Sequence, residues 1–289
     1  MKNVMKKIGW FIVSMLPVLA FFAIQLGCAM VIMVVMTVGV MLNTPVEMSA
    51  DAMQVIVMEQ YYENIVPILI VSQIAAALVF GLWYYFAWGR KKRPEGTEKP
   101  TALKLLLIVL LGVAAQFATS GILSLVQIAA PEALQEYEEL MELAGITEFT
   151  LLTLISTALL APLSEELVCR GVILRLAGKI SPNFWVANIV QALAFGILHG
   201  NLIQGAYAFV LGLLLGLVYR QFKNIWLCML LHASMNLSSV LVEPFYNLFP
   251  EDISEGGAAA ILAVVMVAAA ALGALCVRGI VKKRTDDRF

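Results

Sequence analysis

The sequence predicts an all-α fold, a polytopic membrane bundle of about eight transmembrane helices around an intramembrane polar cavity. Of its 289 residues, 61% are hydrophobic and 13% are charged, whereas a soluble domain carries roughly 25% charged residues. Eight apolar stretches approach the length of about 20 residues that a spanning helix needs. The charges between these stretches are sorted by sign. We therefore expect a single membrane domain over 1–289, and the composition excludes an ordinary soluble protein.

The eight apolar stretches follow one another with short connections. The first is too long for the apolar part of a cleaved signal peptide, so we interpret it as a retained helix. The fourth is expected to continue beyond Arg170. In the sixth, the spacing of Gly212 and Gly216 suits close helix packing. The predicted spans are 10–42, 65–88, 103–130, 149–169, 184–200, 204–219, 225–242 and 258–277.

The loops between the spans alternate between acidic and basic. Lys and Arg are absent from 43–64, 131–148 and 243–257, which carry acidic residues instead. Because basic loops tend to stay in the cytoplasm, we expect both termini to be cytoplasmic. The short loops indicate a bacterial cell membrane. The acidic 131–148 segment is interpreted as a short external amphipathic helix. Basic residues occur at the N-terminus and in 89–104, 170–179, 220–223 and 278–288.

The fourth span contains an unusual charged stretch, Ser164-Glu165-Glu166-Leu167-Val168-Cys169-Arg170. Two adjacent carboxylates are costly beside hydrocarbon, which marks them as functional candidates. On a helix, Glu166 and Arg170 are four residues apart and share a face, so they can form an ion pair. Glu165 points roughly a quarter-turn away. The pattern predicts that the arginine neutralises one carboxylate and leaves Glu165 available for chemistry.

Histidine occurs at only two positions, His199 and His232, and both lie within predicted spans. Asn236 follows His232 by four residues and shares its helical face. With the two glutamates, these groups suit hydrolysis by water. A buried carboxylate such as Glu165 can take a proton from water, and an imidazole can orient that water or bind a metal ion that lowers its pKa. A histidine with a nearby asparagine can donate hydrogen bonds to an oxyanion.

Three short motifs, taken together, resemble those of one known family. They are Glu165-Glu166-x-x-x-Arg170, Phe195-x-x-x-His199 and His232-x-x-x-Asn236. Their order and spacing are similar to those of the CPBP intramembrane proteases, also called the Abi or CAAX-processing family. That family includes the type II CAAX prenyl endopeptidases and bacteriocin-immunity proteins. The resemblance covers about 160–240, which we expect to be the catalytic core.

The resemblance implies an endopeptidase that acts inside the bilayer or at its edge. A peptide or membrane-protein substrate and the lipid bilayer are the expected partners, with no nucleic acid, and the oligomeric state is left open. Phe195 is implied to be a supporting residue. The other implied roles are general base for Glu165, water activation for His199, oxyanion binding for His232 and Asn236, and a supporting ion pair for Glu166 with Arg170.

Zinc is the alternative that the resemblance adds, because the family is named as metalloproteases. His199, His232 and Glu165 would be the ligands, and two histidines with a glutamate from three helices can make a zinc site. The sequence offers no H-E-x-x-H helix motif. We therefore prefer water activated by glutamate and keep zinc as an open cofactor. The catalytic cavity is expected in the cytoplasmic half of the membrane.

Two other functions fit part of the pattern. Intramembrane Glu, His and Arg also serve proton-coupled transporters, but a transporter predicts internal repeats or paired broken helices, and the sequence shows neither. A catalytically idle immunity or scaffold protein would bind a partner through the same cavity. Its function would survive replacement of Glu165, whereas that of a peptidase would not.

Overall fold

The computed structural model describes residues 2–43, 49–90, 98–147, 149–250 and 252–281. Within these ranges the chain is helical and contains no strand. The all-α prediction is therefore confirmed. The helices are α1 (Lys2–Asn43), α2 (Ala50–Glu63), α3 (Ile65–Tyr84), α4 (Ala102–Ala129), α5 (Pro131–Leu143), α6 (Leu151–Ala177), α7 (Phe184–Leu198), α8 (Leu202–Phe222), α9 (Ile225–Ser238), α10 (Val242–Tyr246) and α11 (Glu255–Ile280).

All eight predicted apolar stretches are helical, but seven of the helices in the described ranges are long and apolar enough to cross a membrane. The exception is α7, whose 15 residues span about 22 Å against a hydrocarbon core of about 30 Å. The prediction of about eight transmembrane helices is thus matched by seven helices of full spanning length and one shorter apolar helix. The chain is an integral membrane protein with a polytopic helical bundle.

The first two acidic loops each contain a helix. Pro131 begins α5 at the first helical position, where its missing N–H costs nothing. Leu134 is buried, Tyr137 and Met141 are partly buried, and most of the acidic side chains of α5 are exposed. This is the amphipathic helix predicted within 131–148, although Glu148 lies outside the described residues. The shorter α2, capped by Ser49, was not predicted.

The acidic and basic loops lie at opposite ends of the bundle. At the acidic end, Gly145 packs against Ile65. At the other end, Lys104 pairs with Glu98 at 2.6 Å and donates to the backbone carbonyl oxygen of Ile280 at 3.2 Å. The basic residues at 91–93 and 282–288 lie outside the described residues. The sorting of charge to two ends agrees with the prediction, and the cytoplasmic placement of the termini stays a prediction.

α6 is irregular around its two glutamates. Wide π turns cover Ile155–Leu160 and Leu167–Ile173, on either side of the α-helical Ala161–Glu166. Pro162 would clash with the carbonyl four residues earlier in a regular helix, and the π turn directly before it widens the helix there. Single π turns inside α-helices are frequent at functional sites. α6 continues to Ala177, so the expected extension beyond Arg170 is confirmed.

A tight reversal connects α7 to α8. His199 ends α7, Gly200 has a φ of 73°, and the Oδ1 atom of Asn201 accepts a hydrogen bond from the backbone N–H of Gln204 at the start of α8. A φ in this left-handed region favours glycine because it has no Cβ. α7 therefore ends at Leu198 with His199 as its capping residue, two residues before the predicted end at residue 200.

Candidate active site

Glu166 and Arg170 form a fully buried ion pair. Both side chains are completely inaccessible, and the Nη1 atom of Arg170 lies 3.0 Å from Oε1 of Glu166. The Nη2 atom donates to the backbone carbonyl of Gly212 in α8 at 3.0 Å. The guanidinium also lies over the ring of Phe195, 4.7 Å from its centroid. These contacts compensate much of the buried charge, although Oε2 of Glu166 and Nε of Arg170 have no hydrogen-bond partner among the described residues. The arrangement favours a structural role for Glu166.

His232 lies between the two carboxylates. Its Nδ1 atom is 3.1 Å from Oε1 of Glu166. Since the carboxylate can only accept, Nδ1 carries the proton and donates. The opposite nitrogen, Nε2, is 3.8 Å from Oε2 of Glu165. That separation is too long for a direct hydrogen bond, and Oε2 of Glu165 has no hydrogen-bond partner among the described residues.

Phe195 packs against both histidines. Its ring meets the imidazole of His199 edge-on at 4.9 Å between centroids and that of His232 at 5.4 Å. Phe195 is fully buried. The Nδ1 atom of His199 lies 2.8 Å from the carbonyl oxygen of Phe195, so Nδ1 donates and Nε2 keeps a free lone pair. One aromatic ring therefore fixes the positions of both imidazoles and of the guanidinium.

Asn236 is oriented by the first π turn of α6. Its Nδ2 atom donates to the backbone carbonyl of Thr157 at 2.8 Å. A carboxamide nitrogen has two N–H groups, so a second one remains for another acceptor. The π turn shifts the backbone hydrogen-bond pattern and makes this carbonyl available to a side chain. Spacing along the sequence does not reveal this contact.

The structure adds one buried residue that the sequence analysis missed. Gln191 in α7 is fully inaccessible and donates to the carbonyl of Gly212 at 2.8 Å, the same acceptor that Arg170 uses. It also donates to Oδ1 of Asn188 at 2.8 Å. The available signal was the presence of two amides within an otherwise apolar span, where polar groups are costly. A Cβ on Gly212 would lie 2.9 Å from Cα of Ala192, which confirms the predicted close packing.

The candidate catalytic groups face a common cavity of about 420 Å³. Glu165, His199, His232 and Asn236 line it together with Tyr137, Phe149 and other residues. Because Tyr137 and Phe149 belong to the acidic end, the cavity extends from the middle of the bundle towards that end. Glu165 is about 21 Å along α6 from its start at Leu151. The expected placement of the catalytic groups in the half nearest the basic loops stays a prediction.

The predicted zinc ligands do not form a ready-made metal site. Among the described residues, no group of three His, Cys, Asp or Glu side chains is close enough together to hold a metal ion. Both histidines use Nδ1 to donate, His232 to Glu166 and His199 to the Phe195 carbonyl, an arrangement that leaves Nε2 for a further partner. Glu165, His199 and His232 are not gathered around one point in this arrangement, so zinc stays an open cofactor and no chemical step is assigned to it.

These features define a class of helical membrane protein, with a glutamate, two histidines and an asparagine around a buried polar cavity. Residues 147–238 match the model of the type II CAAX prenyl endopeptidase Rce1-like family. All three motifs lie within this region. The resemblance to the CPBP intramembrane protease family is thereby confirmed for the part of the chain that carries the site.

One curated relative supports the same assignment. Over 115 residues the chain is 25% identical to the protein named "Putative membrane peptidase YdiL" of Bacillus subtilis strain 168. The alignment covers 39% of this chain and 47% of that relative, so it spans about half the length of the relative. No solved structure matches the chain.

Proposed function

We propose that this protein is an intramembrane endopeptidase in which Glu165 activates water to hydrolyse a peptide bond. One observation carries the proposal. Oε1 of Glu166 is paired with Arg170 and His232, and Glu166 is not among the residues that line the cavity. Glu165 lines it, and its Oε2, 3.8 Å from Nε2 of His232, has no hydrogen-bond partner among the described residues. The two adjacent glutamates thus have different surroundings, and Glu165 is the one beside the cavity that a water molecule would enter.

Attack on the peptide bond begins at Glu165. A water molecule beside Oε2 transfers a proton to this carboxylate while its oxygen bonds to the carbonyl carbon of the substrate. The lone pair on Nε2 of His199 accepts a hydrogen bond from the same water and directs it. Both residues line the cavity. The attack produces a tetrahedral intermediate with a negative oxygen.

His232 and Asn236 stabilise that oxygen. The second N–H of Asn236 donates to it, with the first held by Thr157. Because Nδ1 of His232 donates to Glu166, the ring is held with Nε2 on the Glu165 side, where Nε2 donates to the oxygen when it carries a proton. Fixed donors at a developing oxyanion are worth about 10²–10³ in rate. Glu165 then returns its proton to the departing amine nitrogen as the C–N bond breaks, which leaves a free carboxylate and a free amine.

The proposed substrate is a peptide or a membrane protein, in keeping with the family and with the location of the cavity. If the termini are cytoplasmic as predicted, the cavity extends towards the external face. Cleavage of segments that reach the protein from outside the cell is then expected. This placement of the substrate rests on the topology and is tested separately by labelling of single cysteines in 131–147.

The test is hydrolysis of a library of internally quenched peptides by purified protein in liposomes. Glu165→Gln keeps the size of the side chain and removes the base, so we expect the rate to fall by about 10²–10⁴. Glu139→Gln, an exposed residue of α5, is the matched control and is expected to keep full activity. Unchanged hydrolysis by correctly inserted Glu165→Gln protein would refute the proposal and favour a non-catalytic role.

A further inference from the structure

Three glutamines outside the region that matches the family line the same cavity as the catalytic groups. Gln25 lies in α1, Gln73 in α3 and Gln116 in α4, and all three are partly buried. The helices that carry them differ from α6, α7 and α9, which carry the catalytic groups. The cavity therefore has a set of carboxamides that the three motifs do not include.

These carboxamides have unused hydrogen-bonding groups. Gln73 accepts a hydrogen bond at Oε1 from the hydroxyl of Ser156 at 3.1 Å, which leaves its NH2 group as a donor. The amides of Gln25 and Gln116 make no hydrogen bond to any other described residue. All three side chains are only partly buried and line the cavity, so their unused groups can exchange water for a ligand there. A ligand with complementary donors and acceptors would bind to all three spans at once.

A polypeptide backbone has the complementary groups. Its N–H and C=O groups are those of a carboxamide, and an extended segment presents them on both sides. The described part of this protein is mostly helical and contains no strand, so most of its backbone groups are used within helices. Within the described residues there is no strand edge on which a substrate could be bound by strand pairing. Side chains must therefore supply the hydrogen bonds that hold an extended substrate in place.

We propose that Gln25, Gln73 and Gln116 bind the backbone of an extended polypeptide substrate and position its scissile bond at Glu165. This inference rests on the proposed function. The NH2 group of Gln73 donates to a substrate carbonyl, because Ser156 already occupies Oε1. Gln25 and Gln116 both donate to a carbonyl and accept from an N–H. Recognition through the backbone makes the enzyme tolerant of substrate sequence at these positions.

The experiment compares Gln116→Leu with Gln127→Leu, using the peptide library in liposomes. Gln127 lies on the same helix, is exposed and does not line the cavity, so it is a matched control. Loss of one or two neutral hydrogen bonds is expected to raise KM about two- to tenfold, with kcat within twofold of the parent. Gln25→Leu is the second variant, on another helix. An unchanged KM in both cavity variants would overturn the proposal.

Backbone-modified peptides separate substrate contact from a structural effect. Replacing the backbone N–H groups of a cleaved peptide one at a time by N-methyl groups removes one donor in each case. At one position the parent enzyme should lose affinity, and Gln116→Leu should lose no more, because the same hydrogen bond is already absent. Equal additional losses at every position would show that Gln116 acts only through the shape of the cavity, and would contradict the proposal.

Binding by Glu165→Gln protein separates this inference from the proposed function. Fluorescence anisotropy of labelled library peptides measures affinity without cleavage. One outcome is that the parent protein cleaves no peptide, while Gln116→Leu weakens binding in the Glu165→Gln background and Gln127→Leu does not. In that case the glutamines bind polypeptide and the peptidase assignment fails. If no peptide binds saturably, or if Gln116→Leu and Gln127→Leu bind peptide with equal affinity, the cavity amides serve only to hydrate the cavity. This inference then fails.

Discussion

Replacing Arg170 by methionine should destabilise the protein far more than replacing both members of its ion pair. Both side chains are completely inaccessible, and removal of one partner from a buried pair costs about 3–5 kcal/mol because the other charge remains uncompensated. Arg170→Met leaves that charge on Glu166. The carbonyl of Gly212 keeps a donor in Gln191, so the loss comes mainly from the carboxylate.

In the double variant Glu166→Leu/Arg170→Met no uncompensated charge remains. The Nδ1 atom of His232 then loses its acceptor, at a cost of about 1–3 kcal/mol. The second substitution should therefore restore roughly 2 kcal/mol of the stability that the first removes, while activity stays lost because His232 is no longer held. Unfolding of the purified protein in mixed micelles with increasing dodecyl sulfate measures both free energies.

The exposed Arg278 supplies the control. Arg278→Met should change the free energy of unfolding by less than about 0.5 kcal/mol. If Arg170→Met is no more destabilising than this control, or if the double variant is less stable than the single one, Glu166 is not held as an uncompensated charge. The structural role assigned to Glu166 would then be wrong.

Three further predictions concern the surroundings of the site. Phe195→Leu removes the ring over the guanidinium and between the imidazoles, so it should cost about 2 kcal/mol in the same unfolding assay and should lower kcat. An unchanged kcat would contradict the positioning role of the ring. Gly212→Ala introduces a Cβ 2.9 Å from Cα of Ala192 and should lower the free energy of unfolding by about 1–3 kcal/mol. The control Gly9→Ala, whose Cβ would have no atom within 4 Å, should be neutral. Equal melting temperatures of the two variants would show that α7 and α8 can move apart without cost. Peptide hydrolysis should resist a strong chelator, since the predicted ligands are not gathered into a metal site; inhibition that zinc reverses would show that they rearrange around a metal.

The residues of the candidate site could be predicted from the sequence because charge is costly inside an apolar span. Glu165, Glu166 and Arg170 stand out in the fourth span for that reason, and the four-residue spacing predicts the ion pair that forms at 3.0 Å. Both histidines stand out in the same way. The physical cost that makes these residues rare in membranes is what makes them recognisable.

The geometry of the site depends on features that helical periodicity does not encode. His232 contacts Glu166 directly, and its distance to Glu165 is longer, because the π turns of α6 change which side chains face α9. The Thr157 carbonyl meets Asn236 for the same reason. The hydropathy pattern also predicted a full transmembrane span at α7. Hydropathy measures how apolar a segment is, and it does not detect where a glycine such as Gly200 reverses the chain.

The shortness of α7 has a consequence for the lipid around it. Its outward face is exposed at every fourth residue, from Trp185 through Ile189 and Leu193 to Ile197, and this apolar stripe is only about 18 Å long. A bilayer with a core of about 30 Å must thin beside such a short surface. Headgroups and water then lie closer to His199 than elsewhere around the protein. A transmembrane helix that drifts into this thinned zone loses the hydrocarbon that protects its backbone hydrogen bonds, and its end can unwind before it reaches Glu165.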